Sequence, residues 1–301
     1  KKKIMKILVT GGMGFIGSHF TNLLAKKEPT SEIIVLDKIT YAANPNNLTT
    51  QVKFIKEDIC DIQSLPDVDY IVHFAAESHV DNSIKNGKPF IKSNVEGTFN
   101  LIELAKKMPT LKKFIHISTD EVYGDMKPNQ SATEIDNLNP SSYYSATKTS
   151  SDLLVTSAGR TYGFPYIITR TCNNFGENQH REKMIPKIIK CVSEGTPIPV
   201  YGDGEQVREW IHADDNARAI YNLMKSEITG EIFNIGSGYT ITNNELISLV
   251  SEACNKSVKF EYVDDRLGHD KRYSLNSRKY QVIFGNPITI HLKDWLNEQL
   301  S

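Results

Sequence analysis

A glycine-rich turn near the start of the chain constrains the fold more than any other feature. Ile7-Leu8-Val9 has the composition of a short buried strand, and Thr10-Gly11-Gly12-Met13-Gly14-Phe15-Ile16-Gly17 follows it directly, before apolar residues at helical spacing. Glycines permit a tight turn and a close approach of the backbone to an anion, while a helix start offers unpaired N–H groups to that anion. The pattern predicts a strand–turn–helix unit that binds the pyrophosphate of a dinucleotide.

An acidic residue after the second predicted strand indicates which dinucleotide. Asp37 follows Ile33-Ile34-Val35-Leu36 and stands 20 residues after Gly17. An acid at this place accepts hydrogen bonds from the adenosine ribose hydroxyls and repels a 2′-phosphate, so we expect NAD rather than NADP. Residues after the third and fourth strands are expected to border the same cofactor: Asp58, Ile59, Ala75 and Ala76.

The first two-thirds of the chain alternates short β-branched runs with segments of helical periodicity, which is typical of βαβ units. The predicted strands are Ile7 to Val9, Ile33 to Leu36, Lys53 to Ile55, Tyr70 to Phe74, Phe114 to Ile117 and Tyr166 to Thr169. We predict an α/β fold, a doubly wound parallel sheet of the Rossmann type with a smaller α/β substrate-binding domain. Residues 1–170, with 205–235, would form the NAD-binding domain, and 171–301 mainly the substrate-binding domain.

Charge and composition exclude several classes of protein. Lys and Arg total 35 and Asp and Glu total 36, so the chain has no excess of basic residues for holding nucleic acid or a membrane. The four cysteines form no Cys-x-x-Cys pair, and no metal-site spacing appears, which favours a reducing compartment and no metal. The basic start Lys1-Lys2-Lys3 precedes too few apolar residues for a signal peptide. We expect a cytoplasmic protein.

A tyrosine and a lysine four residues apart indicate redox chemistry on a hydroxyl group. Tyr144 and Lys148 lie in the predicted helix Ser141 to Ala158, for which Ser141 is the predicted N-cap. Residues at i and i+4 share one helix face, so the ammonium can stabilise the phenolate and lower the pKa of the phenol. Such a phenol can remove a hydroxyl proton while hydride leaves the same carbon. Alone, the pair is more typical of a surface helix, but behind a dinucleotide-binding turn it favours catalysis.

Two adjacent carboxyl groups, Asp120 and Glu121, follow the fifth predicted strand in the stretch Ser118 to Gly124. Doubly wound sheets bind their ligands beyond the carboxyl ends of the strands, which places this pair at the expected site. Adjacent carboxyls raise each other's proton affinity, so one can stay protonated as an acid while the other serves as a base. The alternative is a solvated turn in which Asp120 caps the next segment.

These stretches together resemble the extended short-chain dehydrogenase/reductases and, within them, the dTDP-glucose 4,6-dehydratase family. The matching stretches cover nearly the whole chain: Thr10 to Ser18, Asp37 to Tyr41, Ala75 to Asp81, Ser118 to Gly124, Tyr144 to Lys148, Arg170 to Gly176, Glu182 to Pro186, Tyr201 to Ala219, Asn234 to Gly236 and Asp265 to Asp270. The discriminating element is Thr119-Asp120-Glu121, because sugar epimerases of the same superfamily usually lack the Asp-Glu pair.

The resemblance implies a nucleotide-sugar 4,6-dehydratase that converts dTDP-glucose or UDP-glucose to the 4-keto-6-deoxyglucose nucleotide and water. Tyr144, helped by Lys148 and with Thr119 bonded to the 4-hydroxyl, would deprotonate that hydroxyl while NAD⁺ takes hydride from C4. Glu121 would then remove the C5 proton as Asp120 protonates the departing C6 hydroxyl, before hydride returns to C6. Deoxysugars such as rhamnose are the implied destination of the product.

The resemblance also implies which residues bind each ligand. Those implied to hold NAD are Gly11, Gly14, Phe15, Ile16, Gly17, Asp37, Lys38, Thr40, Asp58, Ile59, Ala75, Ala76, Ser78, Tyr144, Lys148 and Asn174. Those implied to hold the nucleotide-diphosphate sugar are Ser78, Thr119, Asn173, Lys183, Met184, Pro199, Tyr201, Arg208, Asn243, Arg266 and His269. Residues 171–301 would therefore form mainly a nucleotide-sugar-binding domain.

Two other functions stay open on the sequence. An NAD-dependent nucleotide-sugar 4-epimerase shares every feature except a role for Asp120 and Glu121, and an NAD-sensing protein would need no catalysis. Leu267 stands where the family has proline, and the chain is shorter than typical members, so both thymine and uracil stay open as the base. The resemblance further implies a homodimer formed through helices at Asn94 to Lys107 and Ser141 to Ala158.

Overall fold

The protein is described by a computed structural model over residues 4–300, so Lys1, Lys2 and Lys3 of the basic start lie outside the described residues. The strands are Lys6–Thr10 (β1), Glu32–Leu36 (β2), Lys53–Ile55 (β3), Tyr70–His73 (β4), Lys113–Thr119 (β5), Tyr166–Thr171 (β6), Asn173–Phe175 (β7), Ile198–Tyr201 (β8), Val207–His212 (β9), Glu231–Ile235 (β10), Thr240–Thr242 (β11) and Phe260–Val263 (β12). Seven of them form one parallel sheet in the order β10-β6-β5-β4-β1-β2-β3. The order reverses at β1, which confirms the predicted doubly wound α/β class.

Helices cover both faces of this sheet. The helices of the described residues, including those of the smaller part, are Phe15–Lys27 (α1), Val80–Lys85 (α2), Lys88–Phe90 (α3), Gly97–Ala105 (α4), Tyr143–Tyr162 (α5), Met184–Glu194 (α6), Ala213–Lys225 (α7), Asn243–Cys254 (α8), Arg278–Phe284 (α9) and Leu292–Leu300 (α10). A π-helical segment, Ile91–Glu96, joins α3 to α4, and 3₁₀ turns form at Pro45–Asn47 and Asp120–Tyr123. Because the strands are buried on both faces, they read in the sequence as nearly continuous apolar runs.

Two apolar layers enclose the large sheet. On one face Phe20 of α1 and Leu223 of α7 pack in a buried cluster with the strands, and on the other Leu101 of α4 and Val155 of α5 do the same. A third cluster surrounds Trp210 in the smaller part of the molecule. That part contains a three-stranded sheet, β11-β9-β7, a two-stranded sheet, β12-β8, and α6, α8 and α10.

The chain after residue 171 is shared between the two parts. β10 returns to pair with β6 at the edge of the large sheet, and α7 packs on α1. Within residues 4–300 no helix is long and apolar enough to cross a membrane, and the described side chains contain no group of three or more His, Cys, Asp or Glu suited to a metal ion. All four cysteines are free thiols.

The N-cap of helix α5 lies one residue later in the chain than predicted. Ser142, not Ser141, is the N-cap: its side chain accepts a hydrogen bond from the Ser145 backbone, and the Ser145 side chain accepts one from the Ser142 backbone. Two orphan N–H groups are satisfied at once by this capping box, which is why Ser142 takes the position. The Ser141 hydroxyl instead donates to Asp270 Oδ1 at 2.6 Å.

The glycine turn is a point of very close backbone approach. Gly11 has φ of +68°, and a Cβ there would lie 2.6 Å from the Ala75 nitrogen, so both the conformation and the space require glycine. A Cβ on Gly17 would lie 2.2 Å from the Gly11 carbonyl oxygen, whereas one on Gly14 would lie 3.4 Å from that oxygen, an ordinary contact. The start of α1 can therefore pack this tightly against the turn only with glycine at position 17.

We predict that Gly17→Ala lowers the free energy of unfolding by about 1–3 kcal/mol, because backbone atoms would have to separate to admit the methyl group. Gly14→Ala is the matched control, and it should cost less than about 1 kcal/mol, since alanine is only modestly worse than glycine at an N-cap. Denaturant unfolding of both variants checks this. Equal stability of Gly17→Ala and the wild type would contradict the close-packing account.

Candidate active site

A cleft lies beyond the carboxyl ends of the central strands, where the strand order reverses. The turn after β1, the loop after β4 and the segment after β5 all border it. Every residue that the sequence implied for NAD lines this cleft, from Gly11 to Asn174, and so do the implied catalytic residues Thr119, Asp120, Glu121, Tyr144 and Lys148. Residues distant in the sequence are brought to one place by the parallel sheet.

The part of the cleft at β1 and β2 fits NAD. Asp37 is buried and accepts hydrogen bonds from the backbone N–H groups of Met13, at 3.2 Å, and Ile39, at 2.8 Å, which hold its carboxylate at the end of β2. Lys38 does not offer an unpaired cation, because its ammonium lies 3.2 Å from Asp58 and 4.0 Å from Glu77. A fixed carboxylate beside a neutralised lysine suits two ribose hydroxyls and disfavours a 2′-phosphate.

Tyr144 and Lys148 lie on the cleft side of α5, yet their electrostatics differ from the expectation. Burial raises the pKa of the Tyr144 phenol, the negative charges of Glu121 and Asp120 raise it further, and a hydrogen bond with Thr119 opposes them. Burial lowers the pKa of Lys148 to about 8, and its ammonium donates to the Ile117 carbonyl at 2.7 Å. The prediction that Lys148 lowers the pKa of Tyr144 is therefore wrong in these surroundings.

Thr119 at the end of β5 organises the two carboxyl groups. Its hydroxyl accepts a hydrogen bond from the Glu121 backbone at 3.2 Å and donates to Asp120 Oδ1 at 3.0 Å, which starts the 3₁₀ turn. Asp120 is only 3% exposed, so the solvated turn capped by Asp120 is not what forms. Thr119 is the cap, and Asp120 is buried beside the cleft.

Asp120 and Glu121 differ in their surroundings, as an acid and a base should. Burial raises the pKa of Asp120 well above its usual value, and the charges of Glu121 and Glu209 add to the effect. Asp120 Oδ2 is buried and has no hydrogen-bond partner among residues 4–300, which leaves this oxygen of a cleft-lining residue free to carry a proton for a ligand. Burial also raises the pKa of Glu121, but three cations, Arg266, Arg208 and Lys183, oppose it.

The implied substrate residues divide into two groups. Ser78, Thr119, Asn173, Lys183 and Met184 line the cleft, and the Lys183 ammonium donates to the Ser78 carbonyl at 3.1 Å. The others lie in the smaller part and do not line the cleft: Pro199, Tyr201, Arg208, Asn243, Arg266 and His269. The cations of both groups still act on Glu121 across the space between the two parts of the molecule.

Among the implied substrate residues that do not line the cleft, Arg266, Tyr201 and Arg208 already make contacts within the protein. Arg266 lies 3.5 Å from an Asp81 oxygen, and the Tyr201 hydroxyl donates to the other Asp81 oxygen at 3.2 Å. Arg208 donates to two backbone carbonyls and stacks on the Tyr273 ring with 4.3 Å to its centroid. Arg208 is buried, and no carboxylate is bonded to its guanidinium among the described residues. Such an uncompensated buried positive charge would attract an anion.

Several residues at the site were not singled out from the sequence. Gln179 and His180 line the cleft from an irregular loop before α6, where no periodicity or motif marks them. Glu182, from the same loop, is within a matching stretch but has no role assigned from the sequence. Asp81 was within a matching stretch but had no assigned role. Its contacts with Tyr201 and Arg266 cross 120 and 185 positions of the chain, respectively, and no local pattern carries such information.

Comparison with known proteins gives a consistent assignment. The NAD dependent epimerase/dehydratase family matches residues 7–236. The low-salt glycan biosynthesis protein Agl12 of Haloferax volcanii is 44% identical, with 94% of each chain covered. A dTDP-glucose 4,6-dehydratase of Streptomyces griseus is 40% identical over 96% of this chain and 91% of the relative. DesIV, a dTDP-glucose 4,6-dehydratase of Streptomyces venezuelae solved with NAD bound, has a TM-score of 0.93 at 42% identity, covering 98% of this chain and 96% of that one.

These comparisons confirm the resemblance that the motifs indicated, and with it NAD as the cofactor. The family match covers the glycine turn, Asp37, the Asp120–Glu121 pair and the Tyr144–Lys148 pair within one continuous region. The similarity in structure extends over nearly the whole chain, including the smaller part. The chain is thus an NAD-dependent enzyme and belongs to the NAD-dependent epimerase/dehydratase family.

Proposed function

We propose that this enzyme is a nucleotide-sugar 4,6-dehydratase whose substrate is dTDP-glucose and whose products are dTDP-4-keto-6-deoxyglucose and water. The observation that carries the proposal is the buried Asp120, whose pKa burial raises well above its usual value, beside Glu121 in the same cleft as Tyr144. An epimerase needs no acid and base to expel water. The relatives named above as dTDP-glucose 4,6-dehydratases support thymidine as the nucleoside.

Tyr144 would act first, as the base for the sugar 4-hydroxyl. Thr119 lines the cleft beside the phenol and would bind the same hydroxyl, so it would orient both partners of the proton transfer. NAD, held by the glycine turn and Asp37, supplies an acceptor for the C4 hydride that can give the hydride back at C6. Because burial raises the pKa of Tyr144, the phenolate that accepts the hydroxyl proton would depend on nearby positive charge: that of Lys148, whose ammonium is anchored to β5, and that of NAD⁺ when bound.

Elimination of water would then fall to the carboxyl pair. The C4 ketone acidifies the C5 hydrogen, and Glu121, held closer to the ionised state by three cations, takes that proton. Asp120 gives its proton to the C6 hydroxyl, which leaves as water as the C5–C6 double bond forms. After the proton on Glu121 has exchanged with solvent, Glu121 would donate a proton to C5 as hydride returns to C6, so the sugar has lost only water overall.

The smaller part of the molecule would hold the nucleotide. We propose that Lys183, Arg208 and Arg266 bind the diphosphate, because all three are near enough to Glu121 to lower its pKa and so lie on the same side of the site. Arg266 would exchange its 3.5 Å contact with Asp81 for a phosphate, which accepts a fork of two hydrogen bonds. This assigns residues 1–170 with 205–235 to the cofactor and the remainder after 171 mainly to the nucleotide sugar.

We also propose a homodimer formed through the π-helical segment, α4 and α5. Ile91, Phe99 and Leu153 are each at least half exposed on these neighbouring elements, an unusual density of large apolar groups.

Phe99→Glu with Leu153→Glu should give a monomer in sedimentation experiments, while Val282→Glu, at an exposed apolar site on α9, should not. A wild type that sediments as a monomer would contradict the proposal.

The proposed function predicts the fate of dTDP-glucose in deuterium oxide. The wild type should release water, form the 4-keto-6-deoxy sugar nucleotide and place deuterium at C5, as followed by mass spectrometry and NMR. In Glu121→Gln the C5 base is gone, so we expect product formation to fall by at least about a hundredfold. Oxidation at C4 should persist, because it depends on Tyr144.

Two outcomes would contradict this account. Formation of only the galactose epimer by the wild type would assign the enzyme to the epimerases, and full deuterium exchange at C5 in Glu121→Gln would remove Glu121 as the base. UDP-glucose, assayed beside dTDP-glucose, tests the nucleoside. The two bases differ by one methyl group, worth about 1–3 kcal/mol in a close-fitting pocket, so dTDP-glucose should have the higher kcat/KM.

A further inference from the structure

A buried chain of polar side chains lies behind the catalytic residues, outside the cleft itself. Arg170 of β6 donates from Nε to Asp152 Oδ2 at 2.9 Å and from Nη1 to the Tyr123 hydroxyl at 2.9 Å. The Tyr123 hydroxyl in turn donates to Asn234 Oδ1 at 2.7 Å on β10. Arg170, Asp152 and Tyr123 are 3%, 0% and 4% exposed, and none of them lines the cleft.

The two partners of Arg170 belong to the two elements that carry the catalytic groups. Asp152 is on α5, one turn after Lys148, and α5 also carries Tyr144. Tyr123 is the last residue of the 3₁₀ turn that begins with Asp120 and Glu121. The guanidinium of Arg170 therefore joins α5, which carries Tyr144 and Lys148, to the 3₁₀ turn, which carries Asp120 and Glu121.

Arginine is suited to such a link by its geometry and its charge. The guanidinium is planar, so bonds from Nε and Nη1 fix two partners at a set angle and distance. Burial raises the pKa of Asp152, and the Arg170 charge opposes that rise, while Asp152 in turn raises the pKa of Arg170. The link thus stays charge-assisted at neutral pH, and in this low-dielectric interior it resists displacement.

The two halves of the proposed reaction depend on this link unequally. Tyr144 and Lys148 share α5, and their helix is also fixed by its capping box and by the Lys148 bond to Ile117. Asp120 and Glu121 must reach C6 and C5 of a sugar that is already positioned for oxidation, so the turn must sit correctly relative to α5. A small displacement of the turn would impair elimination before it impaired oxidation.

We propose that Arg170 and Tyr123 are positioning residues for the elimination step, holding Asp120 and Glu121 in register with Tyr144 and Lys148. This inference rests on the proposed 4,6-dehydratase function. Neither residue touches the reacting atoms. Both act through the placement of the 3₁₀ turn, whose last residue is bonded to the guanidinium.

The test uses Tyr123→Phe, which removes one hydroxyl and keeps the ring in the core. After mixing with NAD-loaded enzyme and dTDP-glucose, reduced cofactor should form at close to the wild-type rate and then accumulate. Product formation should fall by about ten- to a hundredfold, the effect of a small misplacement of a catalytic group, with KM little changed. Arg170→Lys keeps the charge and loses the planar fork. It should likewise form reduced cofactor at close to the wild-type rate while product formation falls.

Tyr280→Phe is the matched control. Tyr280 is 1% exposed, and its hydroxyl accepts a hydrogen bond from Asn222 at 3.0 Å, away from the cleft. It should lower the thermal midpoint about as much as Tyr123→Phe does, while leaving the ratio of oxidation to elimination at the wild-type value. This comparison separates a loss of stability from a loss of positioning.

The outcomes are distinguishable. If Tyr123→Phe slows oxidation and elimination by the same factor, or matches Tyr280→Phe in both, the positioning role is overturned while the proposed function stands. If the wild type oxidises dTDP-glucose but releases no water, the proposed function is overturned, and the inference with it. Should Tyr123→Phe fold too poorly to assay, Arg170→Lys decides by the same ratio.

Discussion

Burial of a carboxyl group beside a second carboxyl is the constraint on which this active site depends. Asp120 loses the hydration that keeps an ordinary carboxyl ionised, and two negative charges side by side in the interior would repel each other strongly. We therefore expect the pair to keep one proton at neutral pH. The three cations facing Glu121 decide which group keeps it, because they favour the charged form of Glu121 and leave the proton on Asp120.

The rest of the fold serves to keep that pair in place. The parallel sheet delivers Thr119 to its carboxyl edge, and Thr119 fixes the turn with two hydrogen bonds. Behind the edge, Arg170 ties the turn to α5 through Tyr123 and Asp152. The smaller part contributes cations that oppose the rise in the pKa of Glu121, so the electrostatics of the carboxyl pair depend on both parts of the molecule.

The sequence was most informative where function and fold use local patterns. The glycine turn, the strand before it and the helix after it are neighbours in the chain, and their periodicity predicted all three. The sequence predicts Ser141 as the N-cap of α5, whereas Ser142 takes that position, because a difference of one residue cannot be resolved without the capping bonds to Ser145. The pKa of Tyr144 is raised, although the sequence predicts that it is lowered, because burial and the charges of two carboxyls from another element raise it. The hydrogen bond between Arg170 and Tyr123 joins residues 47 positions apart, and no local sequence pattern predicts it.

The measurement that tests the central claim most directly is the protonation state of Asp120. Infrared difference spectra between the wild type and Asp120→Asn at neutral pH report it, since a protonated carboxyl and a carboxylate absorb at separate frequencies. The account predicts a protonated carboxyl band that is present in the wild type, absent in the variant, and lost only when the pH rises well above the usual range of an aspartate pKa. A carboxylate band for Asp120 at neutral pH would contradict the account.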